Sequence, residues 1–124
     1  MRDGKKHRLL IVDDELDLRE LLSEILGSEG YDTVTASDGD EAIRILGNES
    51  FDAALLDILM PTISGFDVLE HITRNHPGTR SIMVTGNTNL ESAIAAKKQG
   101  AVEFISKPYK LETILSTLER VLPR

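Results

Sequence analysis

Cysteine and tryptophan are absent from this chain, and aromatic residues make up only 4% of it. Without cysteine there is no disulfide, no thiolate nucleophile and no Cys-based zinc site. Any metal must be held by oxygen, and a reducing compartment is compatible with the composition. The scarcity of aromatics leaves an aliphatic core of Leu, Ile, Val and Ala and argues against base stacking as a function. Positive charge is in short supply as well, with 14 Lys and Arg against 21 Asp and Glu and a net charge of −7. Such a field repels a phosphate backbone, so direct nucleic-acid binding is not expected. Long apolar runs are missing too. After the basic opening Met1 to Arg8, the run Leu9 to Val12 is far shorter than a signal-peptide core or a membrane span. Residues 1–8 therefore read as a flexible polar leader and residues 9–122 as one domain, expected in the cytoplasm and not on a membrane.

What is present is a regular alternation. Leu9-Leu10-Ile11-Val12 is continuously apolar and stops at Asp13-Asp14, which fits a strand buried on both faces of a parallel sheet. Leu18, Leu21, Leu22, Ile25 and Leu26 then recur at helical spacing, with Gly27 and Gly30 as stops. Asp32 to Ala36 reads as a strand, Asp38 to Gly47 as a helix, and Ala53 to Leu56 as another buried strand, closed by Asp57. Beyond Pro61 and Gly65, a helix carries Phe66, Leu69 and Ile72 to a break at His76-Pro77-Gly78. Ser81 to Thr85 forms a fourth strand. Leu90, Ala93, Ile94 and Lys97 form the stripe of a fourth helix ending at Gly100. Ala101 to Ser106 gives a fifth strand, and Leu111 to Leu122 a last helix.

Strands alternating with helices through short connections predict an α/β fold: a doubly wound, five-stranded parallel sheet with five helices. The flavodoxin-like strand order 2-1-3-4-5 places a ligand crevice at the carboxyl ends of the strands. In that order the second strand, which ends blandly at Ala36-Ser37, is an edge. The other four end in Asp13-Asp14, Asp57, Thr85 and Lys107, so their tips converge. Converging carboxylates repel unless a divalent cation or a buried base balances them. Lys107 supplies one fixed charge, and carboxylates with a backbone carbonyl and waters suit Mg²⁺. Phosphoryl transfer asks chiefly for positioning and neutralisation of charge, and an Asp carboxylate can itself be the nucleophile. Asp57, alone at its tip, is the candidate. The Thr85 hydroxyl can hydrogen-bond an arriving phosphoryl oxygen and draw its loop inward.

The segments Leu9 to Glu15, Leu55 to Pro61 with Gly65, Val84-Thr85, Gly100-Ala101, Phe104 and Lys107-Pro108 together resemble the response-regulator receiver domains of two-component systems. The likeness covers Leu9 to Leu122, and its separate motifs appear in the right order. It implies that Asp57 is the phosphoacceptor and that Mg²⁺ is bound by Asp13, Asp14, Asp57 and the backbone carbonyl of Leu59. It further implies phosphoryl contacts from Thr85 and Lys107, an aromatic switch at Phe104 that follows Thr85, and a cis Lys107-Pro108 bond. The phosphoryl donor would be a phosphohistidine on a sensor histidine kinase or phosphotransfer protein. The output surface would lie around the fourth helix, fifth strand and fifth helix, where a phosphorylation-dependent homodimer could form. The chain would then be mainly a signalling switch that catalyses its own phosphorylation and dephosphorylation. Leu59 and Asn87 stand where the family tunes access of water to the acyl phosphate, and a bulky Leu59 implies slow hydrolysis.

Each residue also has a plainer explanation. An Asp pair after a strand commonly caps a helix, Lys107 alone could be a solvated charge, Thr85 an ordinary strand residue, and Phe104 core. The three histidines, His7, His71 and His76, read as solvated. Only the joint placement favours chemistry. Among rival functions, an Asp-nucleophile phosphatase would carry a second Asp two residues beyond Asp57, where this chain has Leu59. A nucleotide binder needs a Gly-rich loop after the first strand, where Asp14-Glu15-Leu16-Asp17 stands instead. A receiver-like interaction module without phosphoryl turnover is the remaining alternative.

Overall fold

The apolar runs segregate into a central sheet because a strand covered on both faces can bury every side chain it carries. The computed structural model describes residues 6–60, 62–86 and 89–122. Its elements follow one another as β1 (Arg8–Val12), α1 (Leu16–Ser28), β2 (Asp32–Ala36), α2 (Gly39–Leu46), β3 (Ala53–Leu56), α3 (Gly65–Asn75), β4 (Arg80–Thr85), α4 (Leu90–Lys98), β5 (Glu103–Ser106) and α5 (Leu111–Val121). The five strands are parallel in the order β2-β1-β3-β4-β5, as the sequence predicts.

Side chains of successive strand residues leave the sheet on opposite faces. Leu10, Val12, Ala54, Leu56 and Met83 form one core with Ala42, Leu46, Val68, Leu69, Ile72 and Ala96 from α2, α3 and α4. Leu9, Ile11, Leu55, Ile82, Val84 and Ile105 form the other with Leu22 and Leu26 of α1 and Ile114 and Leu118 of α5. The register pairs Val12 with Leu56, Leu56 with Met83, and Thr85 with Ser106. The carboxyl ends of β1, β3, β4 and β5 therefore lie along one edge of the sheet.

Several local expectations need correction. Arg8, assigned to the leader, opens β1 instead. Its guanidinium binds Asp32 at 3.1 Å, Glu49 at 2.6 Å and the Ser50 carbonyl at 2.9 Å, and lies 4.8 Å above the centre of the Phe51 ring. Residues 1–5 of the leader lie outside the described residues, and the His7 carbonyl accepts the Asp32 amide at 2.9 Å. Helix α2 starts at Gly39 because the Asp38 side chain caps it by accepting from the Glu41 amide at 2.8 Å. Strand β5 begins at Glu103, since the Ala101 amide is committed to the Ala96 carbonyl at 2.9 Å and still closes α4. Leu21 of α1 and Leu90 and Ile94 of α4 belong to no buried stripe, being 55%, 74% and 47% exposed, and α4 buries only Ala96. His7 is not simply solvated, because its Nε2 is buried without a hydrogen-bond partner among the described residues. His71 and His76 face each other at 5.2 Å, and burial together with the His76 charge lowers the His71 pKa.

Ser81 of β4 is 1% exposed and its Oγ has no partner among the described residues. A desolvated hydroxyl without a hydrogen bond is a standing cost that an apolar replacement removes. Ser81→Ala is expected to raise the unfolding free energy by about 1 kcal/mol, measured by urea denaturation. A loss of stability would show that the hydroxyl is satisfied after all.

Candidate functional site

Order 2-1-3 reverses the direction of winding between β1 and β3, and the tips of those two strands deliver Asp13 and Asp57. Both carboxylates are buried, Asp13 to 7% and Asp57 to 6% exposure, whereas Asp14 is exposed. Each of the three can offer an oxygen such that these atoms lie within 4.8 Å of one another. Lys107, just past β5, reaches back across β4. Its Nζ lies 2.9 Å from Asp13 Oδ2, 3.2 Å from Asp57 Oδ2 and 3.5 Å from Glu15 Oε1.

Backbone contacts hold these groups. The Lys107 amide donates to the Thr85 carbonyl at 2.8 Å, and the next peptide, Lys107-Pro108, is cis as expected. The Leu59 amide donates to Asp57 Oδ1 at 3.2 Å, and the Glu15 amide to Asp13 Oδ1 at 2.9 Å. At Gly65, the first residue of α3, an added Cβ would fall 2.1 Å from the Asp57 carbonyl oxygen, so only glycine lets α3 start against the acid's own backbone. Thr85 is completely buried, Leu59 is 60% exposed, and Phe104 packs half-buried against the core beneath α3 and α4. Gly86, after Thr85, is exposed, and Asn87 lies outside the described residues.

The electrostatics follow from burial. Desolvation pushes the Asp57 carboxyl above its ordinary value; the charge of Lys107 opposes this, and that of Asp13 adds to it. A small cavity beside the two acids is lined by Leu22, Leu55, Val84 and Tyr109. For Lys107 burial disfavours the charge, yet hydrogen bonds and attraction to Asp13 and Asp57 outweigh it and hold the ammonium well above the ordinary lysine range. Three carboxylates against one ammonium still leave the pocket negative. A small divalent cation would relieve that excess, and the donor set, all hard oxygen, fits Mg²⁺ or Ca²⁺.

Asp13, Asp14, Asp57, Leu59 and Lys107 thus lie in or beside one pocket, with Thr85 buried at the end of β4 and Phe104 packed against the core. Three more went unnoticed. Glu15 is the third acid of the Asp13-Asp14-Glu15 run and could have been found there. Arg19, whose Nη1 donates to the Asp13 carbonyl at 2.8 Å, left no signal beyond helical spacing. Tyr109 has its phenol pKa raised by burial and by Asp13 and Glu15 against the pull of Lys107, and only its nearness to Lys107 could have marked it.

A doubly wound α/β domain with an acidic, lysine-bridged pocket at its topological switch is the class that fold and site define. The chain belongs to the response regulator receiver domain family, whose model matches residues 9–119. It is 42% identical over 106 residues to response regulator protein PilR of Pseudomonas aeruginosa, an alignment covering 86% of this chain and 24% of PilR. The chain therefore spans about a quarter of that relative's length. A CheY-like receiver domain protein from Methanospirillum hungatei matches with a TM-score of 0.90 and 34% identity over 94% of this chain and 93% of that one. A response regulator from Burkholderia pseudomallei, solved with a phosphorylated aspartic acid, a calcium ion and citrate, matches with a TM-score of 0.86 and 27% identity over 95% of this chain and 67% of that one. No helix among the described residues is long and apolar enough to cross a membrane.

The raised pKa of Asp57 has a consequence for stability. Its carboxyl favours the fold fully only below the ordinary value of 3.8 and loses that contribution as pH rises through the higher folded value. At neutral pH the charged group opposes folding. Asp57→Asn is therefore expected to raise the melting temperature at pH 7 in metal-free buffer, an advantage that shrinks as pH falls below the carboxylate range. Identical melting temperatures across that range would count against the assignment.

Proposed function

We propose that Asp57 accepts a phosphoryl group from a phosphohistidine of a sensor histidine kinase or phosphotransfer protein, and that this switches a partner-binding surface. The observation that carries the reading is the Lys107 ammonium shared between Asp13 and Asp57 beside three carboxylates able to meet on one cation. In the transfer an Asp57 carboxylate oxygen forms a bond to phosphorus, the P–N bond to the donor imidazole breaks, and the imidazole leaves carrying the bonding pair. Asp13, Asp14, Asp57 and the Leu59 carbonyl would hold Mg²⁺, which supplies charge neutralisation at the phosphoryl oxygens. Lys107 contributes the second positive charge, released from the acids toward the new phosphoryl group. Thr85 is the hydroxyl able to bind a phosphoryl oxygen. Because the Thr85 carbonyl already holds the Lys107 amide, a shift at one is felt at the other, and Phe104 on the adjacent strand follows. The exposed Leu90 and Ile94 of α4 lie on the surface that would change, a candidate face for a phosphorylation-dependent homodimer. The phosphorylated aspartic acid of the Burkholderia relative supports the same chemistry here. We place the chain in the cytoplasm, as one switch within a longer regulator or by itself, without a direct part in nucleic-acid binding.

Incubation with phosphoramidate or acetyl phosphate and Mg²⁺ is expected to add the mass of a single phosphoryl group to the intact protein. The adduct should be missing in Asp57→Asn and in the presence of EDTA. No adduct in the wild type would overturn the proposal and favour an interaction module without turnover. Leu59, whose amide donates to Asp57 Oδ1, would shield the acyl phosphate from water through its bulky side chain. Leu59→Asn should shorten the lifetime of the adduct severalfold in the same mass assay, and an unchanged decay would remove Leu59 from that role.

A further inference from the structure

Arg19 occupies the fourth position of α1, where the positive end of the helix dipole disfavours a cation. Its guanidinium is nevertheless half-buried, with Nη1 donating to the Asp13 carbonyl at 2.8 Å. The other polar atoms of Asp13 are committed as well: its amide to Ala36 at 3.2 Å, Oδ1 to the Glu15 amide at 2.9 Å and Oδ2 to Lys107 at 2.9 Å. The carbonyl that Arg19 holds belongs to the peptide joining Asp13 to Asp14. Asp14 is exposed, and the orientation of that peptide sets where its side chain leaves the backbone. Glu15, the N-cap of α1, makes no side-chain capping bond, so the turn into the helix is held by its amide on Asp13 Oδ1 and by Arg19 on the Asp13 carbonyl.

We propose that Arg19 is a positioning residue for the metal-binding acids: by gripping the Asp13-Asp14 peptide it keeps both carboxylates aimed at a shared cation. The inference rests on the Mg²⁺ reading given above. Its sign distinguishes it from simple electrostatics. A guanidinium close to a cation site repels the cation, so a purely coulombic Arg19 would weaken Mg²⁺ binding and its removal would tighten it. A positioning Arg19 predicts the reverse, because losing an outer-shell partner that orients metal ligands commonly weakens affinity by roughly 10–100-fold.

Calorimetric titration with Mg²⁺ alone at constant ionic strength, on wild type, Arg19→Ala, Arg19→Gln and Arg19→Lys, tests this. The expected result is a Kd weakened by roughly tenfold in Arg19→Ala and Arg19→Gln, with part of the affinity recovered in Arg19→Lys, which keeps a donor of sufficient reach. Arg19→Gln keeps the test intact should Arg19→Ala fail to fold. Unchanged or tighter Mg²⁺ binding in a folded Arg19→Ala or Arg19→Gln overturns the proposal, even if the melting temperature without metal falls, since that pattern marks a structural contact only. Failure of the wild type to bind Mg²⁺ overturns the functional reading and this one together, whereas normal wild-type binding with unaffected variants overturns Arg19 alone.

Discussion

The ammonium of Lys107 lies between the carboxylates of Asp13 and Asp57, residues 94 and 50 positions away in the chain. Two buried acids this close would otherwise repel, and the desolvation that already raises the Asp57 carboxyl would act unopposed. The contact exists because parallel pairing brings the tips of β1, β3, β4 and β5 to one level, and because the Lys107 amide is tied to the Thr85 carbonyl. It balances only part of the negative charge. The remainder is what makes the pocket a place for a divalent cation and, with it, for a phosphoryl group.

The surroundings divide into a rigid side and a looser one. On the side of the acids, glycine permits close approach: Gly65 sets α3 against the Asp57 backbone, and a Cβ at Gly39 would fall 2.7 Å from the Ile63 side chain. Both approaches hold the segment Ile63 to Gly65 close to its neighbours. On the same face of the sheet, α4 contributes only Ala96 to the core and leaves Leu90 and Ile94 exposed. Segments with few buried contacts are the ones that rearrange at low cost. Thr85, fully buried at the end of β4, stands between these two regions.

Much of this was legible in the sequence. Continuous apolar runs ending in Asp13-Asp14 and Asp57 announce buried parallel strands, and the flavodoxin-like order makes the blandly ending β2 an edge. The resemblance then assigned roles by motif. Helix faces were less readable. In α4, Leu90, Ala93, Ile94 and Lys97 have helical spacing, but periodicity does not say which side of a helix meets the sheet, and the small Ala96 is the residue that does. Arg8 looked like the end of a basic leader because its partners Asp32, Glu49 and Phe51 are far away in the chain.

The sequence by itself determined the order of the elements, the strand ends at which reactive side chains sit, and the absence of cysteine chemistry, since these depend on local residue type and on periods of two and 3.6 residues. Tertiary structure alone decided that Lys107 bridges two acids, that Glu15 is its third partner, and that Arg19 holds the Asp13 carbonyl. Those contacts join residues by the geometry of a twisted sheet and the reach of long side chains, neither of which leaves a periodic trace along the chain.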